Sequence, residues 1–533
     1  MTSPTPIQKP RRRSFLDHGG PNSINNFASS YTRAQSYVGS SLLEDADAQD
    51  DVSPCSSPVL PIHRSDGTRD GYFADQPRSS PKPTQGYDHL DTYNFPNAQR
   101  INENTPLDQR DVSRRSSRSA SGSIYSIGHA GKSTAAQTVF NSLNTLMGIA
   151  IFSLSFGFRL SGWVLGILIL LFCSVTTNLT AKVLGAVLKK YPHLQTYGDI
   201  AHMYGGSRMQ LLAIVTFTLD LTGAALSLIL LFADSFKLLL PGFDIRFFKA
   251  VIVSITFFMS FMPLNVLSMV SLTGIMSTVS ILVVIVTSGF IVDKGSNGSL
   301  LSPASTNLWP SSLLEALLSI GIFMAPWGGH PVFPELYKDM RHPKKYNTCC
   351  NITFMSCLKL DLLVAIVGYL MFGNTVEDSL TKSLMGNRDL PYFMNPLLCV
   401  FLGLLPISKM SLVVRPIISS YENYFRMNDT SVLTYKHGRR YRPITTKKVI
   451  ARVVFMGSLF ILSLVFTSFG KVVAFLGSAI CCTICITLPL MFYAKFFAEE
   501  LSTFEKLLIR LGVIVGFAGA VFGTYASFVY ETS

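Results

Sequence analysis

The stretch GIFMAPWGGHPVFPELYKDMRHP, residues 321–343, begins as an apolar helix and then interrupts itself. Pro326, Gly328, Gly329, Pro331 and Pro334 fall within nine residues, with His330 among them. Proline removes a backbone donor and clashes with the preceding turn, and glycine adds chain freedom, so each weakens a helix. Lipid offers the freed backbone groups no partner. Such a break survives in a membrane only where protein or a wet cavity covers it. The plainer reading is a proline kink made for packing, and the two readings separate only in the context of the whole chain.

That context is a membrane. The 533 residues are 48% hydrophobic and only 14% charged, with a mean hydropathy of +0.35, too little polar surface for a soluble protein of this size. From residue 134 onward we identify about eleven apolar spans, near 134–158, 163–187, 209–235, 248–266, 268–292, 313–336, 349–373, 392–415, 449–468, 472–494 and 507–530. At about 20 residues each can cross a bilayer as a helix. Residues 1–132 differ sharply: they are rich in Ser, Pro, Asn, Asp and Arg, have no core-forming run, and predict a disordered tail, with residues 133–533 as the transmembrane domain. No secretory signal peptide is expected, because the first apolar segment comes far too late.

The tail carries 15 Lys and Arg against 14 Asp and Glu, so nearly all of the +13 net charge belongs to the membrane part. If the tail is cytoplasmic, loops on its side carry 16 Lys and Arg against 7 on the other. The positive-inside rule therefore predicts a cytoplasmic N-terminus, and an odd number of spans puts the C-terminus across the membrane. Asn297-Gly298-Ser299 then becomes a far-side glycosylation candidate, whereas Asn428-Asp429-Thr430 does not. Eight of the nine cysteines lie in or beside apolar segments and predict buried free thiols. In the tail, RRRS (11–14) and RRSSRS (114–119) suit basic-directed kinases or simply solvate the chain, and SSLLED (40–45) is a weak dileucine-like sorting signal. GHAGKS (128–133) lacks both the first glycine and the strand of a phosphate-binding loop.

The first span, NSLNTLMGIAIFSLSFGFRLSGW (141–163), mixes small and polar residues at Met147–Ser153. Spans one and six would then open two five-span halves, inverted relative to each other because an odd number of spans separates them. The expected fold is an all-α polytopic membrane protein of about 11 transmembrane helices, a 5+5 inverted-repeat transporter with broken helices one and six.

These two stretches, with GYLMFGN (368–374) and LPISKMSLVVRPI (405–417), resemble the amino acid/auxin permease family. Within it they look like the fungal vacuolar amino acid transporters and vesicular inhibitory amino acid carriers, over about residues 132–530. The resemblance implies the inverted-repeat transporter fold, amino acid substrates and proton coupling, and places the protein in a vacuolar, lysosome-like membrane. Relatives usually carry a second glycine and a proline in the first-span motif. Ala150 and Ser155 stand there and point to a shallower break or a lining altered by one methyl group, while Trp327 would narrow the space.

A zwitterionic amino acid needs donors for its carboxylate and acceptors for its ammonium, and half-helix ends supply both. Gly148, Ile149, Ala150, Gly328 and Gly329 are expected to contribute backbone, Asn144 a polar contact, and Phe323 and Trp327 the side-chain compartment. Asn144 could instead bond another helix, and the aromatics could simply pack. Ionisable groups inside lipid cost about 2.5–3.5 kcal/mol each on insertion scales and so need a reason. Asp220, His330, Asp361 and Lys409 are the proton-coupling candidates, with Lys409 alternatively an ammonium where a sodium-coupled relative would hold its ion. Satisfied interhelical pairs are the competing account, and Asp234 with Lys237 is read as a local pair. The expected activity is proton/amino acid antiport loading neutral amino acids into the vacuole, with neutral amino acids, protons and the lipid bilayer as partners and neither cofactor, metal nor nucleic acid. A proton-coupled exporter is the alternative within the class, and a transporter-like receptor signalling through the tail lies outside it. An enzyme using His330 as base is set aside, since the sequence offers it no nucleophile, metal set or phosphate loop.

Overall fold

Thr134 opens the membrane part with a capping box: its side chain accepts from the Gln137 N–H, and the Gln137 side chain accepts from its own. The computed structural model describes residues 22–23, 26–34, 131–262, 264–292, 298–425, 434–436, 439–441 and 445–530. The chain divides into two compact units, Met1–Gln49 with Ala130–Ser533 and Asp50–His129, and every described residue belongs to the first. Asn297, residues 428–430, the serine clusters at 11–14 and 114–119 and SSLLED lie outside the described residues.

Helix α1 covers 26–34, inside the segment expected to lack structure. It is succeeded by α2 (Ala135–Leu146), a 3-10 turn (Ile149–Ser153), α3 (Leu154–Lys190), α4 (Tyr197–Leu239), α5 (Ile245–Met259) and α6 (Leu264–Ile291). The second half holds α7 (Leu313–Met324), 3-10 turns at Ala325–Trp327 and His330–Val332, α8 (Phe333–Lys338), α9 (Tyr346–Phe372), α10 (Leu380–Gly386) and α11 (Met394–Tyr424). A two-stranded antiparallel hairpin, Thr434–Lys436 with Arg439–Tyr441, precedes α12 (Thr446–Val465). The chain ends with α13 (Phe469–Phe475), a π-helical segment (Leu476–Thr487), α14 (Leu488–Phe496) and α15 (Thr503–Val529).

Among the described residues nine helices are long and apolar enough to span a membrane. One of them, Ile149–Lys190, has 42 residues. At ~1.5 Å per residue that is roughly 63 Å, twice a ~30 Å hydrocarbon core. Gly162 divides it with φ 71°, and a Cβ there would lie 2.5 Å from the Leu308 carbonyl carbon, so only glycine fits. The Trp163 and Val164 N–H groups, released by the kink, donate to the Asn307 and Leu308 carbonyls at 3.1 Å. The fifteen-residue α5 is shorter than these nine and stands at the place of the fourth expected span. Counting both sides of that division and this helix, the described residues hold a helical segment at the place of each of the eleven expected spans. The boundary between the fourth and fifth falls after Met259, earlier than predicted, where the Ser260 N–H closes α5 on the Thr256 and Phe257 carbonyls.

Contacts define two ends of the bundle. At one, Ser133 bonds backbone-to-backbone with Asp339 and Arg341, Lys338 Nζ donates to the Pro192 carbonyl, and Lys190 pairs with Glu500 at 2.6 Å. At the other, Arg159 donates to the Val376 carbonyl, Ser468 to Asp378, and Arg159 and Tyr530 share one polar recess. Span one therefore runs from the first end to the second, and span six runs back. Both are broken midway, which is the inverted pairing predicted. Leu507, Leu511, Ile514, Phe517 and Phe522 of α15 are exposed, a surface that suits lipid and not water. The eight described cysteines are free and buried. Lys237 does not pair with Asp234; its ammonium donates to the Pro241 and Phe243 carbonyls, because the helix end offers free acceptors nearer at hand.

Candidate substrate site

The first break is real despite Ala150 and Ser155. Helix α2 stops at Leu146, Met147 leaves helical geometry with ψ 76°, and Gly148 is extended before the 3-10 turn starts. Ser155 lies beyond the break and donates to the Val364 carbonyl of α9, so no proline is needed there to end the helix. In the second break Gly328 is extended and Gly329 has φ −177°, between two 3-10 turns. Each break leaves backbone groups without the partners an unbroken helix would give them.

The two breaks face a common cavity of about 210 Å³. Of the sequence-predicted residues, Asn144, Gly148, Ile149, Ala150, Gly328, Gly329, Asp220 and Lys409 line it. Lys409, from α11, reaches the first break and donates from Nζ to the Met147 carbonyl at 2.5 Å. Asp220, from α4, faces the second: its Oδ1 lies 3.9 Å from where a Cβ on Gly328 would stand. The cavity thus holds one carboxyl, one ammonium and the ends of four half-helices, a set that matches both ends of a zwitterion.

Four predicted residues do not line it. Phe323 is fully buried and meets Phe158 edge-on at 5.2 Å. Trp327 does not line the cavity: it is fully buried and stacks on Phe354 at 5.8 Å. His330 is fully buried too, with Nε2 at 3.0 Å from the Thr180 hydroxyl and 3.2 Å from the Thr177 carbonyl. Both contacts tie the second break to span two. Asp361 is buried within α9, outside the cavity.

One lining residue was missed. Cys481 sits in the π-helical segment Leu476–Thr487, whose wider turn shifts the facing residues out of the ordinary helical register. A Cβ on Gly328 would lie 2.8 Å from its sulfur. We therefore expect Gly328→Ala to weaken solute binding in the cavity by about tenfold, within the ~1–3 kcal/mol range of overpacking. Cys481→Ala should restore much of the loss, read as the dissociation constant of the solute.

A multi-spanning protein with a polar-ended cavity between two inverted broken helices is, by class, a membrane transporter for small polar solutes. The chain belongs to the transmembrane amino acid transporter protein family, whose model matches residues 131–529. It is similar to amino acid transporter AVT1E of Arabidopsis thaliana, 25% identical over 74% of this chain and 73% of that one. It is also similar to AVT1I of the same plant, 26% identical over 74% of this chain and 94% of that protein. A putative sodium-coupled neutral amino acid transporter 11 of Rattus norvegicus is 23% identical over 50% of this chain and 60% of its own length. A solved nucleobase-cation-symport-1 family transporter covers 75% of this chain at 12% identity, with a TM-score of 0.46.

Proposed function

We propose that the protein is a proton/amino acid antiporter that loads neutral amino acids into an acidic compartment such as the vacuole. The observation that carries this is the Lys409 ammonium seated on the Met147 carbonyl inside the cavity. A freed carbonyl at a half-helix end is also the acceptor that a substrate's ammonium would seek. Protonated Lys409 and a bound amino acid therefore compete for one group, and competition of proton and substrate for one site gives exchange. Asp220 brings a carboxyl and Lys409 an amine to the same cavity, so a zwitterion fits better than a net-charged amino acid. The N–H groups that open the half-helices after Gly148 and Gly329 would receive its carboxylate.

The basic loops support a cytoplasmic N-terminal end and a lumenal end at Tyr530. Reconstitution into liposomes tests the reading. Labelled neutral amino acids should accumulate uphill when the side corresponding to the Tyr530 end is acid, and a sodium gradient should not replace the pH gradient. Uphill movement in the opposite sense would identify an exporter. Saturable binding with no flux under any gradient would sink transport in favour of a receptor.

A further inference from the structure

The cavity wall includes one residue from outside the eleven spans. Helix α1 (26–34) meets the cavity through Ala34 and is bonded to the end of the bundle that holds Ser133 and Asp339. Phe27 and Tyr31 pack on Phe140 of span one, with ring centroids 6.2 and 5.9 Å apart. Tyr31 is 2% exposed, and its hydroxyl bonds Ser271 of span five at 2.5 Å and accepts from Asn144 Nδ2 at 3.2 Å. Ser30 Oγ is 2.7 Å from Ser133 Oγ and accepts from Asn141 at 3.0 Å. Arg33 pairs with Asp339, just beyond span six, at 3.3 Å. Ala34, at the last turn, forms part of the cavity wall.

We propose that α1 is an autoinhibitory plug: it closes this mouth of the cavity, and it must leave before an amino acid can enter or depart on this side. Two physical points support it. The helix fastens spans one, five and six to one another, and span one belongs to the opposite half of the inverted pair from span six. Opening this end requires those halves to move apart, and an element bonded to both resists that. In addition, Tyr31 occupies the Asn144 amide, a group that lines the cavity and is a candidate substrate contact. A nine-residue helix is marginal alone, so its place depends on these docking contacts and is reversible. The role as an inhibitor rests on the transport reading; the cover itself does not.

The full-length chain carrying Ser30→Cys and Ser133→Cys tests both, since the hydroxyl spacing puts the two side chains within disulfide reach. Oxidation should abolish uptake and shield Cys481 from a membrane-impermeant methanethiosulfonate added to sealed vesicles with this face outward. Reduction should restore both. Tyr31→Ala should raise the initial rate about fivefold and speed Cys481 labelling, as expected for loss of one buried hydrogen-bonded anchor. Equal transport and equal labelling in oxidised and reduced protein would overturn the plug. Absence of uptake in every form would count against transport alone, because Cys481 labelling still decides whether α1 covers the cavity. A poorly folded Tyr31→Ala protein leaves that decision to the cysteine pair.

Discussion

Replacing Lys409 with Met is expected to abolish accumulation driven by a pH gradient while leaving exchange of labelled for unlabelled amino acid measurable. Lys409 donates to the carbonyl of Met147 at the break of span one. A charge-assisted hydrogen bond of this kind contributes about 1.5–3 kcal/mol, so its loss alters occupancy of the site by at least roughly tenfold. Methionine keeps most of the volume but carries no proton, so the carbonyl is open to substrate at every pH and nothing links its occupancy to the gradient. Arginine makes a sharper comparison, because a guanidinium does not release its proton in proteins. Lys409→Arg should hold the carbonyl permanently and suppress exchange as well as accumulation. The measurement is a pair of assays on the same proteoliposomes, gradient-driven uptake and counterflow. A Met variant that still accumulates substrate uphill would remove Lys409 from the proton account and shift it to Asp220, whose Asn variant would then be the one to lose coupling.

How far the sequence was legible depends on what each of its patterns encodes. Hydropathy encodes crossing, and the eleven spans emerged at nearly their predicted places; the shortest, Ile245–Met259, is where a boundary slipped. The two breaks were legible because residues that weaken a helix recur in two spans at corresponding positions of the two halves. Orientation of side chains around the breaks was not. A helical face can be projected only through continuous helix, and each 3-10 turn rotates the residues beyond it. Trp327 and His330 therefore landed in packed protein while their glycine neighbours landed on the cavity. Cys481 escaped for the same reason, its π turn having changed the period. Asn144, one turn before Gly148 in unbroken helix, lines the cavity. In the tail, Phe27, Tyr31 and Ala34 stand at i, i+4 and i+7, a helical stripe visible in principle. Three apolar residues among polar ones carry too little weight in any composition average to be noticed.

Gly477→Ala should fail before function can be asked of it. The π-helical segment crosses α7 so closely that a Cβ at position 477 would stand 1.7 Å from the Gly321 carbonyl oxygen and 2.7 Å from the Ala325 nitrogen. Its counterpart is as tight: a Cβ on Gly321 would lie 2.1 Å from the Ala474 carbonyl oxygen. In each case the atoms in the way are backbone, which cannot swing aside as a side chain can. In lipid, helices associate through such close packing of small residues, without a hydrophobic drive between them. One methyl group therefore has to push the two packed helices apart along their length, at or above the ~3 kcal/mol upper end of ordinary overpacking. Span six carries the second break only just beyond this crossing, so even protein that folds should show the break displaced and the cavity altered. Monodisperse yield and thermal unfolding in detergent check this, with Gly457→Ala as the control. Gly457 lies in α12 with nothing within 4 Å of its would-be Cβ. There alanine should be neutral or slightly stabilising, by up to ~1 kcal/mol from helix propensity. Near-equal unfolding temperatures for the two variants would show that spans six and ten do not approach this closely, and the geometry of the second break would have to be redrawn from that crossing outward.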